Sequence, residues 1–157
     1  EDAKKYGMVG PFARGCNVDN DIRNLGLGGY KYLSDFQAIL DPSCDCYARA
    51  KVRALEVLQS IDIINEMIAG IPDGPVSVPV KGSPAAGSKA YNVLEQPRGE
   101  VYYYAQGNGT KYLERMRIRT PTSTNLAGMA MALAGCDLAD VNMIVLTIDP
   151  CISCTER

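Results

Sequence analysis

The sequence predicts an α+β domain over residues 1–157: a helical core with a long central helix and a small antiparallel sheet. Three observations carry that expectation. Apolar residues recur at steps of three and four between Val52 and Ile68. Three short segments rich in β-branched and aromatic residues follow one another between Lys89 and Thr120. A stretch of small residues then begins behind Thr and Ser caps, in "TPTSTNLAGMAMALAGCDL".

Each element has a local reason. Residues 1–42 contain "GMVGPFARG", "NLGLGGY" and "LDPS", and predict irregular, turn-rich structure. In the segment that follows, Val52, Leu55, Leu58, Ile61, Ile64 and Ile68 form one helix stripe. Ser43 is the expected N-cap, and Gly70 and Pro72 end the helix. At about 25 residues it is long enough to act as a structural spine. "PDGPVSVPVKGSPAAGS" predicts a long loop. "KAYNVLEQ", "GEVYYYAQ" and "YLERMRIRT" predict strands, with "QGNGT" as a hairpin turn. Glu114, Arg115, Arg117 and Arg119 interleave with Met116 and Ile118, so one face of the last strand is expected to be wet. Gly128, Ala130, Ala132 and Ala134 permit close approach of a neighbour, and "ADVNMIVLTID" predicts a buried helix.

Composition narrows the chemistry. With 157 residues, 46% hydrophobic and 22% charged, the chain has an ordinary globular balance and one domain. A net charge of −2 offers no basic footprint for nucleic acid. No run approaches the ~18–20 apolar residues of a membrane span, so a soluble chain that can dock on a membrane partner is expected. "EDAKKYG" leads into no apolar run, so no secretory signal is read there. Histidine is absent, which removes Ser-His and Cys-His nucleophile pairs and every His-ligated zinc site.

Six cysteines raise the question of a disulfide framework. The size of the chain and the lack of a secretory signal favour reduced thiols instead. Cys16 and Cys136 are expected to be small buried hydrophobes. The chain ends on "LTIDPCISCTER", where Cys151 and Cys154 form a C-x-x-C pair. Such a pair serves a redox dithiol, a zinc site completed by a second pair, or a soft-metal cluster. Cys44 and Cys46 could complete a zinc site with it. Pro150 stiffens the entry to the pair, and Asp149 supplies a carboxylate beside it. "EQPRGE" places Arg98 in a tight turn between two strands, where it can be aimed with little entropy loss.

Taken together, "QPRGE", "TPTSTN" and "DPCISCTER" resemble the C-terminal half of a nickel–iron hydrogenase large subunit in order and spacing. The branch it resembles is the energy-converting, membrane-bound one, related to the 49-kilodalton subunit of respiratory complex I. "GMVGPFARG" and "CYARAKVRALEVLQSI" are similar to segments shared by both relatives. The complex I relatives lack the cysteine pair, so the pair points to hydrogenase.

The resemblance implies specific roles. Cys151 would be a terminal thiolate on nickel, and Cys154 would bridge nickel and iron. Arg98 and Asp149 would line the open coordination position, and Thr122, just after Pro121, would hydrogen-bond to a cyanide ligand. The cofactor would be a Ni-Fe centre with carbon monoxide and cyanide on the iron. Partners would be a small subunit with iron–sulfur clusters, membrane subunits, and electron transfer linked to ferredoxin. The complex would lie on the cytoplasmic face of a membrane. Arg157 stands where many hydrogenases have histidine; arginine at this place is also seen in the energy-converting branch. The family's other two thiolates come from an N-terminal C-x-x-C that residues 1–157 do not contain. The chain is therefore expected to be the C-terminal portion of a subunit and inactive when isolated.

Overall fold

A computed structural model describes residues 1–156, and Arg157 lies outside the described residues. The chain opens with two one-turn helices, α1 (Asp2–Lys5) and α2 (Pro11–Arg14), and two 3₁₀ turns, Ile22–Leu25 and Gly28–Tyr32. The long helix α3 is Cys46–Ala69. Strands β1 (Lys89–Gln96), β2 (Gly99–Gly107) and β3 (Leu113–Arg119) form an antiparallel meander in that order. Helices α4 (Pro121–Leu133), α5 (Val141–Ile148) and α6 (Ile152–Thr155) complete the chain. The α+β expectation is met.

Two details of α3 differ from the sequence expectation. Its N-cap is Asp45 rather than Ser43: the Asp45 carboxylate accepts from the Ala48 N–H at 2.7 Å. Its buried face is Ala48, Arg49, Val52 and Glu56, while Leu55, Leu58, Ile61, Ile64 and Ile68 are exposed. Helical spacing places residues 48, 52 and 56 on one line. Arg49 and Glu56 lie inside because each finds charged or polar partners there. The apolar stripe faces outward, so α3 carries both a polar interior face and an apolar exterior one.

The core is small and lies where both ends of the chain meet α3. Ala3, Met8, Phe12, Ala13, Ile144 and Ile148 form it, with Met129, Ala132, Leu133 and Cys136 packed against it. Cys136 packs against the core as a small apolar residue, but it is half-buried rather than buried as expected. Gly128 is needed for this contact: a Cβ there would lie 2.5 Å from Met8 Cε and 2.8 Å from Phe12 Cε1. The predicted close approach on α4 is therefore real. Helix α5 is buried only on one side, with Met143 and Leu146 exposed. In β3 the wet face exists, but Met116 on the other face is exposed too.

The expectation of reduced thiols fails at Cys16, which is joined to Cys44 in a disulfide. The backbone brings them together. The Asp41 N–H donates to the Arg14 carbonyl and the Cys44 N–H to the Gly15 carbonyl, both at 3.0 Å, so residues 41–44 run beside 14–16. Cys46, Cys136, Cys151 and Cys154 are free thiols.

Candidate functional site

Residues Pro97 and Arg98 form the two-residue link between β1 and β2, flanked by the Gln96–Gly99 pair. Gly99 has φ +126° and Gly10 has φ +69°, conformations that favour glycine. A Cβ on Gly99 would lie 2.7 Å from the Gly10 nitrogen, and one on Gly10 would run into the Arg98 carbonyl. The turn therefore rests backbone on backbone against the start of α2. That segment is itself clamped to α4. The Val9 N–H donates to Asn125 Oδ1 at 2.9 Å, and Asn125 Nδ2 donates back to the Val9 carbonyl at 3.1 Å.

So held, Arg98 points at the end of α5. Its Nε donates to the Asp149 carbonyl at 3.0 Å, and Nη2 to Asp149 Oδ1 at 3.2 Å. Nε is also 3.2 Å from Oδ2, with the two side chains 29% and 37% exposed. The pair is thus half open to solvent. Asp149 caps α5 in the left-handed region, φ 59° and ψ 57°, with its N–H on the Val145 carbonyl. This turn redirects the chain, and Pro150 and Cys151 follow it onto α4.

The tail is docked, not frayed. The Cys151 N–H donates to Thr122 Oγ1 at 3.3 Å. The Thr120 hydroxyl donates to the Cys154 carbonyl. Pro121 opens α4 and is fully buried beneath this contact. Cys151 caps α6, and its Sγ lies 3.1 Å from Ser153 Oγ. That hydrogen bond, with further ones from Cys154 and the positive charge of Arg98, pulls the Cys151 thiol down to about 7. Cys154 is pushed up by burial and by its neighbour Cys151, against a hydrogen bond from Thr122. One thiol of the pair is thus readily ionised and the other keeps its proton.

Arg98, Asp149, Pro121, Thr122, Cys151 and Cys154 therefore come together around one end of α4 and α5. Cys44 does not join them, because it is bonded to Cys16, and the zinc alternative loses one of its four thiolates. Among the described residues no group of three or more His, Cys, Asp or Glu side chains is placed to hold a metal ion.

Sequence reasoning missed the arginines behind the turn. Arg53, on α3, reaches the Thr147 and Ile148 carbonyls, the Pro97 carbonyl and Asp149. Burial lowers its pKa, with Asp149 opposing. Next to it lies an open cavity of about 390 Å³ lined by Arg14, Arg23, Arg53, Glu56, Glu95 and Pro97, among others. The signal was present: Arg49, Arg53 and Glu56 follow one another at four- and three-residue steps, flanking Val52.

Comparison with known proteins decides the family. The family described as "Respiratory-chain NADH dehydrogenase, 49 Kd subunit" matches residues 1–86 and 78–157. This chain belongs to that 49-kilodalton subunit family. The carbon monoxide-induced hydrogenase of Rhodospirillum rubrum is 40% identical over 157 residues, covering 99% of this chain and 43% of the relative. An NADH-quinone oxidoreductase subunit of Solibacter usitatus is 35% identical over 153 residues, covering 95% of this chain and 40% of the relative. The chain thus spans less than half the length of these relatives of the 49-kilodalton family. Among solved structures, one chain of the membrane-bound sulfane sulfur reductase, an archaeal respiratory membrane complex, superposes with TM-score 0.86 at 27% identity. That match covers 98% of this chain and 43% of the other. The relatives named here are a hydrogenase, an NADH-quinone oxidoreductase subunit and a chain of a membrane-bound respiratory complex. No helix among the described residues is long and apolar enough to cross a membrane.

Proposed function

We propose that this chain is part of the catalytic subunit of a nickel–iron hydrogenase, which interconverts dihydrogen with protons and electrons. In this reading Cys151 and Cys154 are two thiolate ligands of the Ni-Fe centre. The observation that carries it is the docking of the C-x-x-C tail on α4 beneath the Arg98 turn, with Asp149 between them. The donor set fits: soft thiols suit nickel and low-spin iron, and one of them ionises near neutrality, as binding requires. When bound, the centre would supply the heterolytic splitting of dihydrogen; two further thiolates must come from outside these residues.

The chain's own side chains have defined tasks. The Arg98 guanidinium supplies a fixed positive charge near the two thiols, and the Asp149 carboxylate keeps its direction. Cys151 Sγ would take up the released proton, and Ser153 Oγ, 3.1 Å away, hydrogen-bonds to that sulfur. Thr122 sets the tail's register through the Cys151 N–H, and its hydroxyl also faces Cys154. In the proposed complex the iron would carry carbon monoxide and cyanide, and Thr122, beside buried Pro121, would be the residue to turn its hydroxyl toward a cyanide. Electrons pass through iron–sulfur clusters of a small subunit to or from ferredoxin. Membrane subunits anchor the complex on the cytoplasmic face.

The test is metal analysis and hydrogen turnover of the whole complex, with Cys151→Ser and Cys154→Ser beside the wild type. Loss of nickel and of turnover in both variants is expected. Unchanged nickel content and turnover would overturn the reading. A second reading, a thiol–disulfide redox pair, draws on the low Cys151 thiol beside the higher Cys154. It predicts reversible closure of a Cys151–Cys154 disulfide in a complex that contains no nickel.

A further inference from the structure

We propose that Arg53 is a positioning residue of this site: a second guanidinium that locks Asp149 and the Arg98 turn into one unit. The inference rests on the functional reading above for its catalytic consequence, but not for its geometry.

Helix α5 ends in carbonyls that have no partner within the helix. Arg53 reaches in from α3 and takes two of them. Its Nε donates to the Thr147 carbonyl at 3.1 Å and its Nη2 to the Ile148 carbonyl at 3.0 Å. The same guanidinium continues outward. Nη1 donates to the Pro97 carbonyl at 3.4 Å and approaches Asp149 Oδ2 at 3.5 Å. Its positive charge also complements the negative end of the α5 dipole.

One planar group therefore joins three separate pieces of chain: α3, the β1–β2 turn, and the exit of α5. Arg98 binds the same residue through Oδ1 and the carbonyl, and its Nε lies 3.2 Å from the Oδ2 that Arg53 approaches. The carboxylate meets two arginines, and each arginine belongs to, or grips, the same turn. Without Arg53, Asp149 would keep only Arg98, and the Pro97 carbonyl would lose this tie to α3. Lysine cannot replace this, because an ammonium lacks the planar fork that serves several acceptors in fixed directions.

The role differs from that of the neighbouring Arg14. Arg14 binds Glu56, Glu95, Asp21 and the Asn20 carbonyl and, among the described residues, no atom of the tail. Arg53 is the link through which the rigid α3 interior fixes the position of the tail.

The experiment uses the assembled complex, comparing wild type, Arg53→Lys, Arg98→Lys and the double variant. Metal content, kcat and KM for dihydrogen are measured, together with amide exchange by mass spectrometry. Arg53→Lys is expected to keep its metals and its KM, to lose roughly 10- to 100-fold in kcat, and to exchange faster at residues 148–152 while the β1–β2 pairing stays protected. The double variant should lose far less than the product of the two single effects, because Arg53 acts through the Asp149 that orients Arg98. Wild-type kcat and wild-type exchange in Arg53→Lys would overturn the inference. So would multiplicative effects in the double variant, or loss of metal and assembly, which would make Arg53 merely structural. Should the wild type hold no nickel, the hydrogenase reading fails, and the exchange comparison still decides the role of Arg53.

Discussion

Arg14 and Arg98 both bind carboxylates, under opposite conditions. Arg14 has a side chain 1% exposed, with Nε 2.6 Å from Glu56 Oε1 and Nη1 2.7 Å from Glu95 Oε1 and 3.0 Å from Asp21 Oδ2. Arg23 adds a second guanidinium on Asp21 at 2.7 Å. Burial opposes the charge of Arg14, but Glu56, Glu95 and Asp21 more than offset it and raise its pKa. Arg98 instead meets a single carboxylate at a half-open rim. The buried cluster commits its donors to the protein and ties residues 14–23 to α3 and β1. The open one keeps a side of its guanidinium turned outward, next to two thiols. The same pairing chemistry serves cohesion in one place and leaves capacity for a ligand in the other, and burial makes the difference.

The contrast can be broken most forcefully at Arg14. Arg14→Met leaves three acidic groups facing one guanidinium, and is expected to cost about 3–5 kcal/mol of stability. Urea unfolding of the subunit measures it, and a loss below about 1 kcal/mol would show that the buried cluster is not a cohesive element. Arg98→Lys should do the reverse: stability within about 0.5 kcal/mol of wild type, with turnover of the assembled complex down roughly 100-fold. Equal losses of stability in the two variants would erase the distinction.

The smallest effect concerns Glu95. Burial raises its pKa above the ordinary 4.5, with the charge of Arg14 working against that rise. A raised folded-state pKa contributes stability that is fully present below 4.5 and lost as pH rises through the higher value. Glu95→Gln does not titrate, so the wild type should lose stability relative to it above pH 4.5, by at most about 1.4 kcal/mol per pH unit. Thermal unfolding over that range measures this, and parallel curves would count against the burial argument.

Much of this was legible in the chain. The β-branched and aromatic runs marked the meander, and the Pro-Arg-Gly turn, the Thr-rich cap and the terminal cysteines marked the residues that meet. The run of residues 41–44 beside 14–16 was not legible, because nothing in residue spacing shows which backbone segments will lie together. The inner face of α3 was hidden for a different reason. Periodicity weighs hydrophobicity, so it picks out the stripe that includes Leu58, Ile61 and Ile64, which is exposed, and passes over Arg49, Arg53 and Glu56. A helix can bury charge where partners wait, and only the tertiary arrangement shows those partners.

The left-handed backbone at Asp149 has a wider consequence. Glycine would adopt it with less strain, and the fold nonetheless keeps an acid there. On the function proposed above the carboxylate serves the tail, and a relative whose tail had no such task would be free to carry glycine or asparagine there. The identity of this one residue would then report whether the tail is in use.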